Sequence, residues 1–427
     1  MKRQAVSAAI AATGLVLAAS VAGCGAEDGV VTLRFFQYKG EAIEDFQQIV
    51  DEFEAANPDI RIEMDQAADS ETAIRTLLVK DRVPDIITLN ANGNFGKLAE
   101  SGVFYDFSAE PVLQTINPSV QQILEDLGEV PGEVNGLGYV NNANGIIYNR
   151  QIFAEQGLEV PETWDELIAV CDKLQAAGIA PFAGTLADAW TGLPSWNGLG
   201  AYAAQDDFFG KLRAAGEELT PDSPTSFSRD FADVLARQAQ LYQYTQDGYR
   251  GANYDDGSAL FANGEAAMLL QGIWALSPVK KINPDIDAAI FPYPAPGGPD
   301  DRLLVTGVDI VVTMPKNAKH PREAMRFIEF MFSRDVIQRF AASQNMIPSV
   351  QGAQLPDDPA ITSVAPYFAD GRITGFIDHQ VPAAIPLTNT VQQFLFDGDA
   401  AEALATLDKE WAKVAARTIP MQEQEEE

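Results

Sequence analysis

The sequence predicts an α/β fold built from more than one domain, and three observations predict it. Short apolar strands alternate with amphipathic helices through the first part of the chain. The chain has 427 residues, against a soft expectation of about 150 per domain. Hydrophobic residues make up 46% and charged residues 21%, a composition that supports well-formed cores. Strands that alternate with helices imply a parallel sheet covered on both faces. Ligands of such sheets lie beyond the carboxyl ends of the strands, so residues just past strand ends carry the functional interest.

Val31, Leu33 and Phe35 alternate as a first strand, and Gln37-Tyr38-Lys39-Gly40 is the turn at its carboxyl end. Ile43, Phe46, Ile49, Val50 and Phe53 repeat at helical spacing. Asn57-Pro58 ends that helix, because the residue before proline is pushed out of helical geometry. Ile60, Ile62 and Met64 predict a second strand, and Ile74, Leu77 and Leu78 a second helix. A third strand, 84–89, is apolar on both faces and is followed by Asn90. Lys39 and Asn90 thus sit where a crevice wall would be, although both also fit solvated loop. The segment 95–102 predicts a short helix stopped by Gly102.

Residues 136–148 hold two strand-like pieces around Asn141-Asn142-Ala143-Asn144, a polar break that suits a crossing between domains. Thr163 with Glu166 three residues on predicts a capping box, with Leu167, Val170, Cys171 and Leu174 on the inner face of the helix that follows. A strand at 179–182 leads to Trp190 and then to a predicted loop bearing Trp196 and Asn197. Residues 231–244 are an amphipathic helix. Residues 286–293 are strand-like and run into Pro292, Pro294, Pro296 and Gly297-Gly298, a second crossing. Residues 308–313 form a strand that contains Asp309. Two helices fill 321–340, and Pro348 suggests a third crossing. Residues 375–380 are a loop with Phe376, Asp378 and His379, and 401–415 a final helix with Trp411.

The segment 261–274 starts as the end of a short helix. It turns at Asn263-Gly264, a pair suited to left-handed backbone, runs through the apolar 266–270 and reaches Trp274 after Gln271-Gly272. A strand that ends in glycine and then an aromatic side chain can aim a flat apolar surface into a cleft. The pattern alone fits a core tryptophan equally well.

The net charge of −32 argues against nucleic acid as a partner, since phosphate binding needs clustered Lys and Arg. It suits a self-repelling monomer. Lys2 and Arg3, a short apolar run and Val21-Ala22-Gly23-Cys24 form a secretory signal at 1–23 that resembles the bacterial lipobox. On that pattern Cys24 is lipid-modified and becomes the mature N-terminus, which leaves Cys171 alone and rules out an intramolecular disulfide. The expected location is the extracellular face of the bacterial cytoplasmic membrane, held by the lipid anchor only. Residues 421–427 are an acidic tail.

The phosphate loop, the dinucleotide glycine fingerprint, HExxH and the nucleophile elbow are all missing. Two histidines, His320 and His379, cannot make a multi-His metal site. No cofactor, metal or catalytic residue is expected. A glycoside hydrolase needs two carboxylates about 5–9.5 Å apart, a geometry that sequence neither supports nor excludes. What remains is a binder's inventory: the aromatics Trp190, Trp196, Trp274 and Phe376, with the polar Lys39, Asn90, Asp309, Asp378 and His379. A sugar offers a C–H face that stacks on aromatic rings and hydroxyls that need partners once desolvated.

Several stretches resemble a known family. They are the lipobox; FQQIVDEFEAANPDIRIEM; VPDIITL; GIIYNRQIFAEQGLEVPETWDELIAVCDKLQAAGIAPFA; the segment 261–274 with NPDIDAAIFPYP; and AMRFIEFMFSRDVIQRFAA. Their order and spacing resemble an extracellular solute-binding lipoprotein of a carbohydrate ABC importer, the maltose-binding-protein-like family 1. The resemblance covers essentially the whole mature chain. It implies a two-lobed, periplasmic-binding-protein-like fold of type II with three interlobe crossings. The lobes would be 28–143 plus 288–345, and 144–287 plus 346–420. It implies a non-enzymatic receptor that takes an oligosaccharide in the interlobe cleft and delivers it to ABC permease subunits. FFQYKGEA, Asn90 after PDIITL, TGVDIVV and GFIDHQ most resemble binders of α-linked oligosaccharides of the raffinose or isomalto-oligosaccharide type. Carried over, Lys39, Asn90 and Asp309 bond hydroxyls from one lobe, while Trp274, Phe376, Asp378 and His379 stack and bond from the other, with Trp190 nearby. The alternatives are an extracytoplasmic glycoside hydrolase and a binder of a non-sugar solute.

Overall fold

Two mixed β-sheets, each packed with helices, meet along one cleft in the computed structural model. The structure describes residues 30–67, 73–74, 76–77 and 83–417. The lipobox with Cys24 and the acidic tail lie outside the described residues. No helix among the described residues is long and apolar enough to cross a membrane.

The first sheet contains β1 (Val31–Gln37), β2 (Ile60–Gln66), β3 (Ile86–Leu89), β4 (Leu137–Asn144) and β9 (Leu304–Thr313). Strands β1, β2 and β3 run parallel, as the alternation with helices predicts. The helix Ile43–Ala56 buries Phe46, Ile49, Val50 and Phe53 against them. Phe46 meets Phe35 edge-on at 5.4 Å between ring centres. Ile74 and Leu77 are helical as expected, and Leu78 lies outside the described residues. Strand β9 then enters antiparallel between β3 and β4, so the sheet is mixed rather than purely parallel. Local periodicity reports that a segment is a strand, not its direction.

The second sheet has the order β6 (Ala180–Ala183), β7 (Ala266–Leu269), β5 (Ile146–Asn149), β8 (Ala288–Phe291). The capping box at Thr163 is present: its side chain accepts from the Glu166 N–H at 3.3 Å, and the Glu166 carboxylate accepts from the Thr163 N–H at 3.1 Å. The inner face of that helix, Cys171 included, is buried. Burial, with Asp172 beside it, pushes the Cys171 thiol pKa up, consistent with inert core.

The connections differ from expectation in three places. The polar run Asn141–Asn144 is not a break; it is the end of β4 and fully inside the sheet. The chain changes sheet at the single residue Gly145. A Cβ there would stand 2.5 Å from the Phe291 carbonyl oxygen, so only glycine fits. Strand β8 pairs with β5 from Ala288 to Phe291, which places 288–291 with the second sheet instead of the first. β10 (Ile347–Pro348) pairs with β4 in the first sheet, so the chain leaves that sheet after Pro348. It is back beside β9 at the short β11 (Ile373–Thr374). Trp196 and Asn197 are in the helix Leu193–Ala203, not a loop. That helix is apolar on most of its circumference, so it lacks the one-sided stripe by which a surface helix is recognised.

Candidate functional site

The cleft between the two sheets holds a cavity of about 620 Å³. Strand topology explains its position. Leu89 at the carboxyl end of β3 pairs with Val311 of β9. Because β9 runs the other way, Asp309 lies just beyond that edge, next to the turn after β1 and to Asn90 after β3. Strand β4 ends at the same edge, where Asn142 pairs with Gly307. The opposite wall comes from the segment after β7, from the helix Leu193–Ala203 and from the segment 376–388. All eight sequence-predicted residues, Lys39, Asn90, Trp190, Trp274, Asp309, Phe376, Asp378 and His379, line this one cavity.

The first wall is a buried charge network centred on Asp309. Lys39 Nζ donates to Asp309 Oδ2 at 2.8 Å and makes a second ion pair with Glu41 at 3.0 Å. The Tyr38 hydroxyl donates to the Asp309 backbone carbonyl at 2.6 Å and approaches Oδ2 at 3.3 Å. Asn142 Nδ2 donates to Asp309 Oδ1 at 3.1 Å. Burial acts to lower the Lys39 pKa, but Asp309 and Glu41 outweigh it and raise the pKa above its ordinary value. Burial, then Asp309 and Glu41, also raise the Tyr38 pKa well above its usual range. At neutral pH the lysine of this network therefore stays charged and the tyrosine neutral.

The second wall is aromatic. Trp274 and Phe376 lie 6.2 Å apart and tilted, and Phe376 stacks on His379 at 5.2 Å. The Trp274 indole N–H donates to Gln271 Oε1 at 3.2 Å. Both rings sit over glycine. A Cβ on Gly272 would stand 2.0 Å from the Trp274 ring, and one on Gly307 would stand 2.8 Å from the Phe376 ring. The Asp378 backbone N–H donates to Asn197 Oδ1 at 3.0 Å. The Asp378 Oδ1 atom is buried without a hydrogen-bond partner among the described residues. Trp190 stands at the rim, 41% exposed, against Tyr254 at 5.0 Å. Asn90 is exposed.

The model of the bacterial extracellular solute-binding protein family matches residues 39–338. The chain belongs to that family. A multiple sugar-binding protein of Streptococcus mutans is 27% identical over 330 residues, which is 76% of either chain. A melibiose/raffinose/stachyose-binding protein of Bacillus subtilis is 22% identical over 314 residues, 71% of this chain and 70% of the other. Among solved structures, the binding protein RafE in complex with raffinose superposes with a TM-score of 0.77 at 23% identity, covering 90% of this chain and 100% of that one. A Bacillus licheniformis sugar transporter protein in complex with stachyose gives 0.71 at 19% identity, covering 90% of this chain and 100% of that one. At such identities the superpositions establish the two-domain fold.

Several cavity residues of this solute-binding protein escaped sequence reasoning. Tyr38 and Glu41 flank Lys39 and are legible only once Asp309 is known to face them. From sequence, Asn142 falls in the polar break at 141–144 and Asn197 in the predicted loop. A strand that ends in three asparagines is the signal that was available, because asparagine is depleted from strands. Trp196, by contrast, is no wall residue. It is fully buried and stacks on Phe231 at 5.3 Å.

Proposed function

We propose that this solute-binding protein is an oligosaccharide receptor of an ABC importer, lipid-anchored through Cys24 on the extracellular face of the bacterial cytoplasmic membrane. The lobes, approximately 28–144 with 292–348 and 145–291 with 349–417, close over the sugar and present it to the permease subunits. Closure follows if the ligand bonds both walls and so binds the closed state better than the open one. One observation carries the reading: a single cavity sets two tilted aromatic rings, Trp274 and Phe376, opposite a buried carboxylate–lysine network at Asp309. The rings suit a sugar's C–H face, and the charged acceptors make strong bonds to hydroxyls. Lys39, Asn90 and Asp309 bond hydroxyls from one side; Trp274, Phe376, Asp378 and His379 stack and bond from the other; Trp190 lies at the rim. The raffinose and stachyose complexes of fold neighbours, together with the names of the relatives, support an α-linked, raffinose-type ligand.

A thermal-shift screen over mono-, di- and trisaccharides tests this directly, since a ligand raises the melting temperature according to its affinity and concentration. Raffinose-type trisaccharides should shift the melt and be recovered uncleaved. No shift with any carbohydrate would sink the sugar reading, and cleavage products would sink the receptor reading. Mass spectrometry of the membrane-extracted protein tests the anchor: the N-terminal peptide should begin at a diacylated Cys24.

A further inference from the structure

The helix Leu193–Ala203 carries a polar side chain on its cleft face that the proposed wall residues do not use. Leu193, Pro194 and Asn197 line the cavity, and residues four apart share one face of a helix. Ala201, four residues further on, packs in a cluster with Phe376 and Trp274, so this face runs along the aromatic wall. Asn197 is only 2% exposed. Its Oδ1 accepts from the Asp378 backbone N–H at 3.0 Å. That bond fixes the orientation of the amide. Turned over, its NH2 group would face the Asp378 N–H, donor against donor. No hydrogen bond reaches the Asn197 Nδ2 atom among the described residues, and that atom is not one of those sealed from solvent. The cavity wall thus holds a neutral donor that the protein itself leaves unspent. Other donors of the cavity are already committed: the Trp274 indole N–H to Gln271, and Asn142 Nδ2 to Asp309.

From this we infer that Asn197 is a specificity-determining residue, which donates from Nδ2 to the same sugar hydroxyl that donates to Asp378. The inference rests on the sugar-receptor reading and deepens it. Asp378 lines the same cavity, with its side chain 18% exposed. An ionised carboxylate can only accept, whereas a hydroxyl has one donor and two lone pairs. A hydroxyl that donates to Asp378 therefore keeps lone pairs for a donor, and the Asn197 amide is the donor beside it. The sugar must carry a free hydroxyl at that position. A deoxy sugar forfeits both bonds, and a methyl ether cannot donate to Asp378. The wall does not depend on the amide alone for its place. Ile377 is buried, and a Cβ on Gly200 of the same helix would stand 2.4 Å from its Cδ1 atom. Helix and segment are therefore also held together by packing.

The test is a double-mutant cycle between residue and ligand, read by calorimetry on the full chain. The probes are raffinose, melibiose and maltotriose, followed by single-site deoxy derivatives of whichever of these binds. Asn197→Ala removes the amide. Asn197→Asp keeps an oxygen for the Asp378 N–H and exchanges the donor for an acceptor. Both variants should bind the parent sugar about tenfold more weakly, the weight of a single hydrogen bond. For one deoxy derivative, the loss relative to the parent should be about tenfold smaller in Asn197→Ala than in the wild type, because one bond to that hydroxyl is already gone. If Asn197→Asp binds the parent like the wild type, Asn197 only holds the segment 376–379 in place and the inference is overturned. A common factor of loss in Asn197→Ala for the parent and every derivative overturns it as well. Melting curves without sugar establish that each variant is folded, and either variant decides the matter if the other is not. If no carbohydrate binds the wild type, the receptor reading itself falls and takes this inference with it.

Discussion

The two walls of the cleft are held in place by different physics. Around Asp309 every position is fixed by a bond: Lys39, Tyr38 and Asn142 all donate to this one residue, and Glu41 backs the lysine. Around Trp274 positions are fixed by room. Gly272 and Gly307 supply flat backbone where the two rings lie, and a methyl group at either would collide with its ring. The first wall is organised by its own bonds; in the proposed receptor that lowers the ordering cost of binding and sets the direction of the hydroxyls. In the same proposal the second wall contributes apolar area. Orientation and affinity are thus separable here, and each can be broken alone.

The largest effect should come from Asp309→Ala. It removes the side-chain bonds that hold Lys39 and Asn142, leaves Tyr38 on the backbone carbonyl, and leaves the buried lysine with only the exposed Glu41. Breaking a buried pair by deleting one partner costs about 3–5 kcal/mol. Denaturant unfolding should show a stability loss of that order, and calorimetry a loss of more than a hundredfold in sugar affinity, with orientation lost as well as strength. Near-wild-type binding would mean that the first wall does not touch the ligand.

Much of this contrast was legible in the sequence, and the reason differs by wall. Lys39 and Asn90 follow strands whose alternation is plain, and the parallel arrangement of β1 and β3 puts both at one edge. Asp309 could be placed in a strand, but not opposite Lys39, because β9 reaches the first sheet from 270 residues away in sequence and runs antiparallel. Its pairing register is a long-range fact. The aromatic wall was readable as a strand, a glycine and then a tryptophan, whereas Trp196, expected on a loop, is core. Which tryptophan meets a cleft depends on packing against Phe231, which no local pattern encodes. The asparagines of β4 pattern as a polar break for a related cause: nothing local shows that a buried carboxylate claims one of them.

Trp274→Ala should come next in size. It removes a large apolar face and leaves the Asp309 network intact. Affinity should fall by about tenfold to a hundredfold, the weight of one stacked aromatic, while the deoxy-sugar discrimination set by the first wall survives. Gly272→Ala sharpens the same point without deleting the ring. Its Cβ would meet both the Trp274 ring and the Ala143 carbonyl oxygen, at 2.0 and 2.4 Å, so the ring must move. A several-fold loss of affinity with unchanged discrimination is expected. If Gly272→Ala binds like the wild type, the position of Trp274 is not set by room, and the contrast between the walls fails on that side.

The smallest effect concerns the first wall alone and is a dependence on pH. Lys39 has a folded pKa raised above its ordinary 10.5 by Asp309 and Glu41, against the opposing effect of burial. The native state therefore holds this proton more tightly than the unfolded chain does. Its contribution to stability is complete below the ordinary lysine value and is lost as pH rises from there through the folded pKa. Tyr38 acts with the same sign, since burial and the two carboxylates favour its neutral form. The buried tyrosines of the second region, Tyr242 and Tyr293 among them, are raised by burial as well, so the whole protein should weaken in alkali. The informative quantity is the difference between proteins. Lys39→Met should flatten the alkaline limb of the stability curve above pH 10.5, while Trp274→Ala should leave its slope unchanged. Parallel curves for Lys39→Met and wild type would show that the buried lysine is not held by its carboxylates, and the first wall would then be organised by packing, like the second.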